Sequence, residues 1–460
     1  MNKERIKNLL LVFLIAMNFI LGSRILFERK LWPSGYNFFS NISNWEITSI
    51  YQNIKSFFDN DTIYKSRFLS PEKIVINTGD QTTRLSLDPA DAEFNPILEE
   101  AYIVLQKALS DNTIPTNQIS RGEFYSALNS SSVYLEYPAE YSADLFARLI
   151  GTNYEAMTKI LNTFSDVAIS YSPKTCVYFA DIENDIFYKI NVNKSSEELV
   201  MRLGECIESR QGNHPIINYS YDLKFDQPFG AQKTTLNPLI QVYSSAEEYP
   251  TIISKNPVLD KNILDNILKI FEMNPNTMSR YTQAGGTTVF VENNATLKID
   301  KNGYLEYEKT ASSPEVLDEY SMLTTVASIA DGVNRTIKNE NAMSISKTYS
   351  LQDGTIALDY IAGGLRVNLN SEKLSHAVEA KFENGQLKSY RQLIRSYETT
   401  ANKTKPFEFL EALDIAISEY SKSMNEININ KMYIGYNDDA ELGEKNAEWI
   451  VNVDNVIIGE

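Results

Sequence analysis

The sequence predicts an α+β protein: a single N-terminal transmembrane helix, then a multi-domain folded region whose helices pack on antiparallel sheets. Three observations predict it. A continuous apolar run, "NLLLVFLIAMNFILGSR", sits at the N-terminus. Behind it, helical stripes and alternating strands occur in an order that belongs to the α+β class. Asn-Gly and Asp-Gly pairs between alternating segments mark hairpins at several points.

The anchor comes first. Leu9 to Gly22 is apolar except for Asn18, and fourteen helical residues reach only about 21 Å. Ile6 to Phe27 reaches about 33 Å if Lys7 and Arg24 snorkel, which spans a hydrocarbon core of about 30 Å. "ILGSR" has bulky residues where a signal-peptidase site wants small ones, and no Cys follows closely. The run therefore reads as an uncleaved span; a cleaved signal and a core helix are the alternatives. Asn18 and Gly22 lie four apart, on one helix face with Ile15 and Leu11. They are the candidate residues for pairing with another transmembrane helix. Lys3, Arg5 and Lys7 before the span balance Arg24, Arg29 and Lys30 after it, so charge leaves the orientation open.

Composition bounds the rest. More than 400 residues after the anchor exceed one core. A formal charge of −17 argues against nucleic acid as a partner and against an electrostatic hold on anionic lipid. Two cysteines, Cys176 and Cys206, are too few for a disulfide framework; one bridge and two buried thiols are equally compatible.

Five regions follow along the chain: tail and anchor (1–30), a juxtamembrane connector (31–66), an N-terminal α/β domain (67–250), a middle α+β domain (251–400) and a C-terminal helix-plus-sheet unit (401–460). In the first domain "KIVIN" and "TRLSLD" are strands around a "TGDQ" turn. "NPILEEAYIVLQKAL" is a helix with Ile97, Ala101, Val104, Leu105 and Ala108 on one stripe. "SSVYLEYP" is a strand stopped by Pro138. "ADLFARLIG" and "YEAMTKILNTF" are short helices, and "CVYFADIENDIFYKINV" is a strand pair. "SSEELVMRLGEC" is a helix capped by Ser195 or Ser196.

The middle domain opens with the helix "NILDNILKIFEMN" and a hairpin at Asn302-Gly303. Its second helix should bury Val316, Tyr320, Leu323, Ala327 and Ala330. Asp353-Gly354 and Asn384-Gly385 predict two further hairpins. The last unit repeats the plan, with a helix burying Leu410, Leu413, Ile417 and Tyr420 before the strands "KMYIGYND" and "EWIVNV". Trp449 should be at least partly buried.

No catalytic, cofactor-binding or metal-ligating residue emerges. His214 and His376 have no i+4 or cysteine partner, and read as loop and strand-edge residues. The glycine pairs of "QAGGTT" and "IAGGLRV" precede strands, so they are turns rather than phosphate cradles. Asp88 with Asp91, and Asp438 with Asp439, read as solvated loop carboxylates. Tyr304, Tyr307, Tyr360 and Tyr390 read mainly as sheet-packing residues.

Several segments together resemble one family. "MNKERIKNLLLVFLIAMN" with "LWPSGYNFFSN", then "FLSPEKIVINTGD", "TTVFVENNATLKIDKNGYLEYEK" and "LDYIAGGLRVN" are similar, in order and spacing, to YycH-type regulatory proteins of low-GC Gram-positive bacteria. The last departs from the family's pattern, with Arg366 where Pro is usual. The tail, "MYIGY" to "AEWIVNV", resembles the closing strands shared with the companion YycI. The resemblance implies a single-pass cell-membrane protein, N-terminus cytoplasmic and folded part extracellular. It implies action with a YycI-like partner on the WalK (YycG) sensor histidine kinase that governs cell-wall metabolism, with no catalytic residue and no cofactor. The alternative is an anchored extracellular receptor domain for wall fragments or peptides.

Overall fold

The computed structural model describes Phe68 and residues 70–453, except 80–83, 90, 111–115, 153–162, 193–196, 211–216, 232, 244–246, 293, 311–315 and 349–353. The expected anchor with Asn18 and Gly22, the connector, most of "YEAMTKILNTF", the Ser195/Ser196 cap and His214 lie outside the described residues. Among the described residues no helix is long and apolar enough to cross a membrane.

The first half is built on a seven-stranded sheet of β1 (Lys73–Thr78), β2 (Arg84–Leu87), β3 (Thr116–Ile119), β4 (Ser131–Ser142), β5 (Thr163–Ser170), β6 (Cys176–Asp181) and β7 (Ile186–Asn191). Its order is β2-β1-β4-β5-β6-β7-β3. Every pair is antiparallel, so this half too is α+β. Alternation gives the sheet two buried faces. Ile74 and Ile76 join one core with α1 (Phe94–Ser110), α3 (Ala143–Ile150) and α4 (Glu197–Ser209). Val75, between them, joins a second core with Phe124 and Leu128 of α2 (Arg121–Leu128). Cys206 lies in the first core and Cys176 in the second, and both thiols are free.

Strand β4 does not stop at Pro138. It continues to Ser142, with its pairing to β5 shifting between Glu136 and Tyr141. A proline is tolerated at such an irregularity because no ladder donor is required there.

The chain then adds β8 (Ile217–Tyr219), β9 (Thr235–Leu236), β10 (Gln241–Tyr243) and β11 (Tyr249–Lys255). The second half follows: α5 (Lys261–Ile270), β12 (Ser279–Thr282), β13 (Thr288–Glu292), β14 (Ala295–Ile299), β15 (Tyr304–Lys309), α6 (Glu319–Thr336), β16 (Ala342–Lys347), β17 (Thr355–Ala362), β18 (Leu365–Leu369), β19 (Val378–Glu383), β20 (Gln386–Leu393) and β21 (Ser396–Thr404). It ends with α7 (Phe409–Tyr420), β22 (Asn428–Asp438), β23 (Gly443–Lys445) and β24 (Ala447–Val453). A twelve-stranded sheet runs β12-β13-β14-β15-β20-β19-β17-β18-β22-β24, with β16 on β17 and β9 on β22.

The hairpins expected at Asn302-Gly303 and Asn384-Gly385 form; β16 and β17 pair antiparallel as expected, with Asp353 of their turn outside the described residues. Gly303 takes φ +87°, where an added Cβ would clash with the Ile394 carbonyl oxygen. Asn384 and Gly385 both have positive φ, as a tight two-residue hairpin demands. Two pairs are parallel, β18–β22 and β22–β9, and the first welds the C-terminal strands into the larger sheet. Under α7 the core is shared with Leu236, Ile240 and Val242 from far upstream.

Two helix faces hold as expected except at one residue each. Helix α6 starts at Glu319 because the Asp318 side chain accepts from the Ser321 N–H, leaving Val316 outside the helix and 71% exposed. In α7 Phe409 is buried and Leu410 exposed, because the Phe409 ring packs edge-on to Trp449 at 5.4 Å.

Candidate functional site

The two halves meet where β4 lies against β16, with Thr348 Oγ1 donating to the Glu140 carbonyl and Lys431 Nζ to the Pro138 carbonyl. Beside this seam opens a cleft of about 340 Å³. The first half lines it with Glu72, Lys73, Glu136 and Tyr243. The second half supplies Arg366, Phe409, Tyr433 and Trp449. Trp449 is half-buried, and its Nε1 donates to the Phe407 carbonyl at 2.8 Å.

Strand pairing sets the polar wall. Lys73 on β1 stands directly opposite Glu136 on β4, so the two side chains share a face. Each is nevertheless held by a neutral group of β10. Lys73 Nζ donates to the Tyr243 hydroxyl and lies 4.6 Å from its ring centroid. Gln241 Nε2 donates to Glu136 Oε2 at 2.8 Å. Burial pushes the Glu136 carboxyl up to about 7; nearby Lys73 opposes the rise and Glu72 adds to it. Burial would lower the Lys73 ammonium, but Tyr243 and Glu136 hold it above its ordinary value.

Arg366 also lines the cleft. The Gly363-Gly364 turn, both residues at positive φ, reverses the chain from β17 into β18 and brings Arg366 beside Asp359. Its Nη1 is 3.0 Å from Asp359 Oδ2, and its Nη2 is 2.8 Å from Glu72 Oε1. It also donates to Ser346 Oγ and the Ile345 carbonyl. His376 Nδ1 lies 3.2 Å from Asp359 Oδ1. Against burial, His376 and Arg366 hold the Asp359 carboxyl below its usual range. Against burial, Arg366, Lys431 and Lys73 do the same for Glu72. Against burial, Asp359 raises His376. The cluster is a charged strut: Arg366 of the second half grips Glu72 of the first.

Sequence reading singled out some of these residues and missed others. Arg366 stood out as a departure from the family pattern, and the structure makes it the hub of the strut. His376 is a partner of a buried aspartate rather than a plain strand-edge residue. Lys73, Glu136 and Trp449 are drawn together from three distant segments, and only their alternation in strands was visible. Asp91 pairs with Arg210. Asp438 is fully buried, accepting from Tyr397 Oη at 2.7 Å and from the Ala440 N–H at 2.9 Å, so it is no solvated loop carboxylate. Tyr307, Tyr360 and Tyr390 are buried in sheet packing, and Tyr304 is half-buried.

No family model matches the chain, and no curated protein matches it. Solved structures do. One is the crystal structure of YycH from Bacillus subtilis, matched with a TM-score of 0.58 at 11% identity, over 85% of this chain and 95% of that one. Such a match at such an identity speaks for architecture: the chain has a YycH-like α+β fold.

Proposed function

We propose that this chain is a membrane-anchored, extracytoplasmic regulator of a cell-wall-sensing histidine kinase, acting with a YycI-like companion. The observation that carries the reading is the YycH-like fold over 85% of this chain. The apolar run ahead of it supports an anchor, and the resemblance to YycH-type proteins supports its orientation, with the N-terminus cytoplasmic and the folded domains outside. An accessory protein biases a kinase by contacting its signalling states unequally. Two surfaces serve that end: the acidic outer domains, and the membrane helix with Asn18 and Gly22. An Asn amide in lipid gains about 0.6–2 kcal/mol from a facing polar group, enough to shift a balanced equilibrium several-fold.

The test is photo-crosslinking in native membranes followed by identification of the captured partners. The reading expects the sensor kinase and the companion among them. Asn18→Leu should leave export and folding intact while weakening capture. Absence of the kinase from the captured set, at normal protein level, contradicts the reading. A receptor role is the second reading, and the cleft between the halves favours it.

A further inference from the structure

The cleft holds an opposite pair of charges that act on each other through space but are not closed into a contact ion pair. Lys73 and Glu136 face each other across β1 and β4, yet neither makes an ion pair among the described residues. Tyr243 engages the ammonium and Gln241 the carboxyl, both from β10, and neither neutralises a charge. This differs from the strut a few residues away, where Arg366 is closed directly onto Glu72 and Asp359. A split pair in a half-buried cleft leaves one cationic and one anionic group to be met by something else. Trp449, Tyr433 and Phe409 also line the cleft, with the Trp449 ring 6.3 Å from that of Tyr243, an apolar surface suited to a hydrocarbon body.

We propose that this cleft binds a small zwitterion of the amino-acid class, its ammonium on Glu136, its carboxylate on Lys73 and its side chain against Trp449. An amine alone would leave Lys73 unmet, and a carboxylic acid alone would leave Glu136 unmet. The volume of about 340 Å³ suits a free amino acid or a dipeptide and is small for a folded partner's element. The site lies at the seam, so its occupant touches both halves and stabilises their present arrangement. The proposal rests on the receptor reading of the cleft and is separate from kinase capture.

The experiment is calorimetric titration of the full-length protein in detergent with leucine and alanyl-alanine. N-acetyl-leucine, which lacks the ammonium, and leucinamide, which lacks the carboxylate, are titrated alongside. The zwitterions should bind at least tenfold more tightly than either blocked form. Lys73→Met and Glu136→Gln should each remove that preference. Because the blocked compounds act on the unaltered protein, the test does not depend on the variants folding. Equal binding of blocked and unblocked compounds keeps a receptor cleft but overturns the zwitterion. No binding by any of the four overturns both.

Discussion

Glu136 sits half-buried with one amide donor and no contact ion pair among the described residues; burial moves its pKa from 4.5 to about 7 against the pull of nearby Lys73 and Lys431. The folded state therefore holds this proton more tightly than the unfolded chain. Its contribution to stability is greatest below 4.5 and falls as pH rises through about 7. Urea unfolding at pH 5 and pH 8 should show Glu136→Gln removing about 1–3 kcal/mol of the pH dependence and making the protein more stable at pH 8. An unchanged slope would show that the carboxyl titrates normally. His376 contributes in the same direction, because its raised pKa gives stability that is complete below 6.5 and lost as pH rises through the folded value. Asp359 works oppositely: its lowered pKa gives stability present above 3.8 and lost as pH falls through the folded value. Asp359→Asn leaves Arg366 buried with only Glu72 as its ionic partner. It should cost about 3–5 kcal/mol in urea unfolding at pH 7, and a loss under 1 kcal/mol would show that the strut is not a stabilising contact.

Among elements, the hairpins are the most local and the most legible. Gly303 is fixed by a left-handed turn and by the Ile394 carbonyl against it, so Gly303→Ala should cost about 2 kcal/mol or more. Gly204, inside α4 with nothing within 4 Å of an added Cβ, should behave oppositely, with Gly204→Ala gaining about 0.5–1 kcal/mol. Denaturant midpoints of the two variants check both, and a shared sign would contradict the account. Hairpins and the stripe of α1 could be read because the determinants lie within a few residues. The start of α6 was misplaced because one capping side chain, Asp318, outweighs an apolar residue upstream. The face of α7 was read correctly at Leu413, Ile417 and Tyr420 and missed only at its first position, where Phe409 rather than Leu410 turns inward because it answers to Trp449, forty positions on. Nothing local could show the parallel join of β18 to β22, or the strand that runs through Pro138. The cleft was invisible for the same reason: its charged wall and its aromatic wall come from opposite ends of the chain.

At the scale of the whole molecule, one half carries a sheet covered on both faces and the other a larger sheet that borrows β9 from the first. Strand β11 ties them further, pairing with β21 and β23. Such interlocking favours a rigid body that moves as one piece. If the apolar run anchors it with the folded part outside, protease added to intact wall-stripped cells should digest the chain after Lys30. Protection until lysis would reverse the topology. The central claim, that the chain changes the activity of a sensor kinase, is tested most directly by co-reconstituting the full-length protein and the kinase in lipid vesicles. Kinase autophosphorylation is then measured with and without it. The account predicts at least a twofold change in rate, in either direction, that Asn18→Leu diminishes. A rate unaltered by saturating, correctly oriented protein, with the companion also present, would contradict it.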